Sequence, residues 1–176
     1  MQPATILAIL GGADCERIGA GWLAQPVNSV SSLAYVAVGG WLWRLAAESR
    51  SDRVLLVTAG TAMAGVGLGS LAYHGPQPAW AVPAHEGSIA GLALVLVGNA
   101  IWLIAQDRRR PAARVNVRKW RTAGTLGAVA LAAYAAGRTG SPLCRPDSMW
   151  QPHAAWHLFS ALALGTVAFG FAEGKP

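Results

Sequence analysis

Two of the four histidines in this chain, His153 and His157, lie four residues apart where the last apolar run begins. On a helix this spacing places both imidazoles on one face, within reach of a single metal ion. Zinc sites are commonly built from such nitrogens, and a catalytic site keeps one position open for water or substrate. Two ligands on one helix are not enough, so another part of the chain must supply a third.

The composition indicates what kind of protein must position these residues. Hydrophobic residues make up 53% of the 176 residues and charged residues only 12%, unlike an ordinary soluble domain. The net charge of +6 lies mostly in two short connections, without the basic and aromatic interleaving of a nucleic-acid platform. We therefore expect one integral-membrane domain over residues 1–176, an all-α polytopic bundle with no nucleic-acid partner.

Five apolar stretches are long enough, or nearly so, to cross about 30 Å of hydrocarbon as helices. The fourth is the weakest because it is rich in Ala and Gly. The first and third connections between these stretches carry most of the Arg and Lys, which the positive-inside rule assigns to the cytoplasm. The N-terminus is then outside and the C-terminus cytoplasmic, and the Ala-, Gly- and Arg-rich chain with short loops is typical of a bacterial inner membrane. The stretches are residues 27–45, 54–73, 88–105, 122–136 and 153–171.

This topology brings polar residues from several spans to the same, non-cytoplasmic, face of the membrane. His74 ends the second span, His85 and Glu86 precede the third, and the histidine pair begins the fifth. A single intramembrane histidine is often no more than a hydrogen-bond link between helices. Several polar residues at one depth in the membrane instead favour a metal site, because such groups are costly when they face lipid.

These residue types are suited to hydrolysis. Three histidines, His74, His153 and His157, leave the fourth position of a zinc ion for water, whose pKa then falls to about 7. The Glu86 carboxylate is a candidate general base, and the Ser70 hydroxyl, on the same helical face as His74, is a candidate donor to an oxyanion. Because such a site opens within the bilayer, the expected substrate is a membrane lipid.

Other features leave alternatives open. His85 is adjacent to Glu86 and points about 100° away from it on a helix, which favours a supporting or surface position. Asp147 could orient a histidine or be a solvated loop carboxylate. Cys15 and Cys144 both lie on the outer side, where a disulfide between them could persist, and two free thiols are the alternative.

Three glycines lie inside the second apolar span, where they cannot form a phosphate-binding loop because no strand precedes them. We interpret them as small residues that let helices approach closely. They are Gly65, Gly67 and Gly69.

The chain resembles the alkaline ceramidases and the wider superfamily of membrane hydrolases that includes the progestin and adiponectin receptors and the Per1 proteins. The resemblance touches nearly the whole length but is specific only in short motifs. Its strongest part is a serine-x3-histidine followed far downstream by a histidine-x3-histidine. The motifs are Asp14-Cys15-Glu16, Asn28-Ser29-Val30-Ser31-Ser32, Ser70-Leu71-Ala72-Tyr73-His74, the acidic position at Glu86, and His153-Ala154-Ala155-Trp156-His157.

The resemblance implies zinc at the three histidines, with Ser70 beside the reacting carbonyl. The family's catalytic acidic residue is an aspartate, and the nearest candidate here is Glu86. The resemblance also implies a calcium site at Asp14, Glu16 and Asn28, although a glutamate of the family pattern is Gln25 in this chain. The family has seven spans, so this chain would be a reduced version with five.

We therefore expect a zinc-dependent intramembrane hydrolase that cleaves an amide or ester bond of a lipid, with a ceramide-like substrate. One alternative is a receptor or sensor that keeps the metal site without turnover. Another is a structural bundle or transporter that holds no metal. The oligomeric state does not follow from these patterns.

Overall fold

Each of the five apolar stretches forms a helix. The computed structural model describes residues 12–49, 52–107 and 117–172, and within them the chain is all-α, with five helices and no strand. The expected fold class is therefore confirmed at the level of secondary structure. The helices are α1 (Pro26–Glu48), α2 (Arg53–His74), α3 (Ala81–Asp107), α4 (Val117–Ala136) and α5 (Pro152–Ala172).

The predicted start of the third helix is wrong. It begins at Ala81 rather than at residue 88. Pro83 does not prevent this, because a proline in the first turn lacks only an N–H that would have no partner within the helix. As a result, His85 and Glu86 lie inside α3 rather than in the connection before it.

The fourth helix also begins earlier than predicted, at Val117 rather than at residue 122. Three basic residues assigned to the connection lie in its first turns instead. The long unbranched side chains of Arg and Lys lose little freedom in a helix, so the helix can extend through them. These residues are Arg118, Lys119 and Arg121.

Two of the described helices are long and apolar enough to cross a membrane: α2 over its whole length, and α3 over Ala81–Ala105. They differ in burial. In α2, 56% of the most apolar window is buried inside the protein, whereas in α3 the figure is 6%. Thus α2 is a central helix, and α3 turns most of its apolar surface outward.

The helices α1, α2 and α5 form the centre of the bundle, with α3 packed on α2 and α4 on α5. In the described part of the chain, α3 and α4 make no contact with each other, so the bundle is open between them. Two of the three glycines predicted to permit close packing in α2, Gly67 and Gly69, do so, whereas a Cβ at Gly65 would meet its nearest neighbour at 4.0 Å. A Cβ added at Gly67 would lie 2.6 Å from Val36 Cγ2, and one at Gly69 would lie 2.8 Å from the Ala84 carbonyl oxygen.

The segment before α1 connects two parts of the chain that lie beside the histidines. Cys15 and Cys144 form a disulfide with their Cα atoms 5.4 Å apart, which confirms the predicted bridge. The Cys15 N–H donates to the Gly137 carbonyl at 2.8 Å, and the Gln25 N–H donates to the His74 carbonyl at 2.8 Å. The segment therefore runs from the connection between α4 and α5 to the end of α2.

Candidate metal centre

The structure brings together the three histidines predicted as metal ligands. His74 ends α2, while His153 and His157 lie in the first two turns of α5. Their exposed fractions are 0%, 5% and 2%, and one ring nitrogen from each lies within 4.8 Å of the others. Among the described residues, this is the group of His, Cys, Asp and Glu side chains that could hold a metal ion.

Hydrogen bonding determines which nitrogen of His74 is free. The side-chain Nε2 of Gln25 donates to the Glu16 carbonyl at 2.7 Å, so its Oε1 is the atom that faces His74. This oxygen lies 2.7 Å from His74 Nδ1 and must accept a proton from it. The lone pair of His74 is therefore on Nε2, which is buried and has no hydrogen-bond partner in the described residues.

The same reasoning applies to His157. The Ser31 hydroxyl donates to the Asn28 carbonyl at 3.0 Å. Its oxygen is then the acceptor for His157 Nδ1, 2.9 Å away. His157 consequently carries its proton on Nδ1 and its lone pair on Nε2, 3.4 Å from the Ser70 hydroxyl oxygen.

His153 is held by a carboxylate. Its Nδ1 lies 3.2 Å from Asp14 Oδ1, although the N–H is not aligned for a good hydrogen bond, so the contact is mainly electrostatic. The Arg138 guanidinium donates to the same oxygen at 2.9 Å. Burial raises the pKa of Asp14 to about 6, and Arg138 opposes that shift. A Cβ on Gly137 would lie 2.5 Å from the His153 backbone nitrogen, so this glycine permits the close approach of α4 and α5.

The donor set fits a metal ion such as zinc. Each histidine has an acceptor beside Nδ1, and a carboxylate or amide in this position fixes the ring and leaves Nε2 for the metal. Ring nitrogens that lie within 4.8 Å of one another can bind one cation, and imidazole nitrogens suit zinc, copper, iron and nickel. The three histidines are thus close enough to bind one metal ion, and His74 and His157 are in the tautomer that leaves Nε2 for it.

Ser70 lies beside this group, as predicted. It is 1% exposed, and its hydroxyl oxygen lies 2.8 Å from that of Ser32 on α1. Ser32 in turn donates to the Asn28 carbonyl at 2.8 Å. Ser70 is therefore held against the Nε2 side of His157 by a short chain of hydroxyl groups.

Glu86 is not brought into the histidine group. Its side chain is 68% exposed, and its Oε1 lies 3.0 Å from His85 Nδ1. His85, which the sequence predicts to be a supporting or surface residue, contacts the histidine group through His74. Its ring is stacked on Tyr73, with centroids 4.5 Å apart, and lies 6.2 Å from the His74 ring. His85 therefore lies between Glu86, which it contacts, and His74.

Two of the three residues of the expected calcium site, Asp14 and Glu16, have other partners. The Asp14 carboxylate is bound by Arg138, and both Glu16 oxygens accept backbone N–H groups, from Val27 and Asn28, at 2.7 Å. Glu16 therefore caps the start of α1. Burial raises its pKa, and the two backbone donors oppose the shift. Calcium binding stays a prediction that these contacts do not favour.

Asp147 does not orient a histidine. It forms an exposed ion pair with Arg17, whose Nη2 donates to Asp147 Oδ2 at 2.7 Å. This hydrogen bond lowers the pKa of Asp147. Of the two alternatives, the solvated loop carboxylate is the correct one.

Sequence reasoning missed the residues that hold the three rings: Gln25 and Ser31, together with the role of Asp14. A signal for this existed, because polar residues recur on one face of the otherwise apolar α1. Positions three and four apart lie on one side of a helix, and here they are buried. The buried polar positions are Gln25, Asn28, Ser29 and Ser32.

Comparison with known proteins identifies no relative. No family model, no curated protein and no solved structure matches this chain. The resemblance to the ceramidases therefore depends on the short motifs alone.

Proposed function

We propose that this chain is a zinc-dependent membrane hydrolase that cleaves an amide or ester bond of a lipid, with ceramide-like substrates. The observation that carries the proposal is the convergence of three buried histidines whose Nδ1 atoms all face acceptors. A structural hydrogen-bond link would not require three buried histidine nitrogens within 4.8 Å of one another, with His74 Nε2 left without a partner. A metal site does.

The outer surface of the helices supports a membrane location. Large apolar side chains on α3 and α4 are strongly exposed: Leu94 is 74%, Ile101 62% and Leu131 62% exposed. Continuous apolar surface of this kind is unusual for a soluble monomer and suits contact with acyl chains. With the loop charges, it favours five spans with the N-terminus outside and the C-terminus in the cytoplasm of a bacterial cell.

The histidines would hold zinc, which lowers the pKa of a bound water and polarises a carbonyl group. Ser70 lies on the Nε2 side of His157, and its hydroxyl, which here donates to Ser32 Oγ, can steady the carbonyl oxygen of a substrate by turning toward it. The His85–Glu86 pair can connect this point with solvent, since Glu86 is exposed and the His85 ring lies 6.2 Å from the His74 ring. We assign proton transfer to this pair, with Glu86 as the terminal carboxylate.

The open side of the bundle is suited to a lipid substrate. In the described part of the chain, α3 and α4 do not contact each other. His85 of α3 lies beside His74, and Tyr134 of α4 lies beside His153. The Tyr134 ring lies 6.0 Å from the His153 ring. A lipid in the surrounding bilayer can approach between these helices without first passing through water.

The proposal is tested by metal analysis together with a hydrolysis assay on labelled lipid amides and esters. The wild type is expected to contain one zinc per chain and to hydrolyse at least one of these lipids. His157→Ala is expected to lose both properties. His85→Ala and Glu86→Gln are expected to keep zinc and lose about 10²–10⁴-fold in turnover, because they remove proton transfer and not a ligand.

Three results would refute parts of the proposal. Wild-type protein without zinc after purification in its presence would favour a structural bundle. Stoichiometric zinc without any lipid hydrolysis would favour a receptor or sensor. Full activity of both His85→Ala and Glu86→Gln would show that the proton leaves by another route.

A further inference from the structure

Asn28 has a buried side chain with no hydrogen-bond partner. It is 0% exposed, and both its Oδ1 and its Nδ2 lack a partner among the described residues. A carboxamide offers two donors and two acceptor positions, and leaving all of them unsatisfied in the interior is unfavourable. Such groups are rare in folded proteins, and each one calls for an explanation.

The position of Asn28 indicates what it could bind. It lies on the buried face of α1, three residues after Gln25, which holds His74, and three before Ser31, which holds His157. Its own backbone carbonyl accepts from Ser31 and from Ser32, the neighbour of Ser70. Gln25, Ser31 and Ser32 are thus each hydrogen-bonded to a histidine or to Ser70, while the Asn28 carboxamide has no partner.

We propose that the Asn28 carboxamide is a catalytic residue that binds the two oxygens on the reacting carbon during hydrolysis. This inference rests on the proposed function. When water adds to a carbonyl, its oxygen bonds to the carbon, one proton leaves to the base, and the π electron pair moves to the former carbonyl oxygen. The carbon then carries an O⁻ and an O–H side by side, which match the Nδ2 donor and the Oδ1 acceptor of one carboxamide.

This arrangement favours the tetrahedral state over the substrate. A planar amide or ester offers its carbonyl oxygen to Nδ2 but has no O–H for Oδ1. The second hydrogen bond forms only after addition, so Asn28 stabilises the transition state more than the ground state. When the bond to the leaving nitrogen or oxygen breaks, the electron pair of the O⁻ restores the carbonyl, and the leaving group takes up a proton.

The test compares Asn28→Leu, which has nearly the same shape, with Asn99→Leu as the matched control. Asn99 lies on α3, and its Nδ2 donates to the Leu55 carbonyl at 3.3 Å, away from the histidines. The measurements are zinc content, melting temperature, kcat and KM on the best lipid substrate, and affinity for decylphosphonate monoanion. This probe is tetrahedral and carries an O⁻ and an O–H on one atom.

Asn28→Leu is expected to keep zinc and melt no lower than wild type, because it removes an amide without partners. Its kcat is expected to fall about 10²–10³-fold, the effect of losing one oxyanion donor, with little change in KM. Binding of decylphosphonate should weaken about tenfold or more, and Asn28→Asp should bind this anion more weakly still. Asn99→Leu is expected to melt lower and to keep both kcat and phosphonate affinity.

The inference is overturned if Asn28→Leu keeps kcat and decylphosphonate affinity within twofold, or if it loses zinc and melts lower, which would make Asn28 structural. It is equally overturned if wild type does not bind the probe. Absence of lipid hydrolysis by wild type would instead refute the proposed function. A probe affinity that still depends on Asn28 would then show that this residue binds such a group without turnover.

Discussion

The two halves of the central α1–α2–α5 bundle are built on opposite principles. The half near the end of α1 is packed from apolar side chains, such as Leu42, Leu56 and Met63, all fully buried. The half near its start is equally buried but polar, with Asn28, Ser32, Ser70 and the three histidines in the interior. The same three helices therefore contain a hydrocarbon core and a polar chamber.

The difference shows where stability and function are located. Apolar residues gain by burial whatever their exact partner, so the first half can form by packing alone. Polar residues lose by burial unless each hydrogen bond is remade. In the polar half this is done for the Nδ1 atoms of His74 and His157 and for the buried serine hydroxyl groups, but not for His74 Nε2 or the Asn28 carboxamide. These remaining atoms are what a ligand would satisfy.

Removal of metal should have the largest effect, and it should act on the polar half alone. With free zinc at 1,000 times its dissociation constant, bound metal stabilises the wild type by about 4 kcal/mol. Chelation should therefore lower the wild-type melting temperature and leave that of His157→Ala unchanged. A chelator that shifts neither protein, as judged by thermal unfolding, would contradict the metal centre.

Met63→Ala tests the apolar half. Met63 is 1% exposed in the core of α2, and its truncation should reduce the free energy of unfolding by about 2–5 kcal/mol through lost contacts and a cavity. Zinc stoichiometry should stay at the wild-type value. The matched control on the same helix is Val54→Ala, which removes a side chain that is 74% exposed and should change stability by less than about 0.5 kcal/mol. Loss of zinc in Met63→Ala would show that the halves are not independent.

Gln25→Leu removes the acceptor that fixes the His74 ring, without touching a ligand. Loss of such a partner typically weakens metal affinity by about 10–100-fold. Gln25→Glu keeps an acceptor at this position and should retain more of the affinity than Gln25→Leu does. Competition with a chromophoric zinc chelator measures both. Equal affinities for the two variants would mean that the His74 Nδ1 contact does not orient the ring.

Tyr35→Phe probes the boundary between the halves and should have the smallest effect. The Tyr35 hydroxyl lies 2.6 Å from Ser160 Oγ, and it is the last polar contact before the apolar core. Its loss should cost about 1 kcal/mol of unfolding free energy, the net value of one hydrogen bond. Zinc affinity and turnover should not change. A loss of turnover in this variant would extend the polar chamber further along α1 than the contacts indicate.

The sequence by itself determined the helices, the candidate ligands and one long-range contact. Apolar run length predicted all five helices, because burial or membrane insertion of a whole segment depends on composition along the chain. The i to i+4 spacing of His153 and His157 predicted their common face, since helical periodicity is local. Cys15 and Cys144 could be paired because they are the only two cysteines in the chain.

Only the tertiary structure decided how the polar residues are divided among roles. Which ring nitrogen is free depends on Gln25, Ser31 and Asp14, residues distant in sequence from the histidines that they hold. The exposure of Glu86 and the proximity of His85 follow from the start of α3 and its rotation against α2. Depth and rotation of one helix relative to another are set by side-chain packing between helices, and no periodicity within a single helix encodes them.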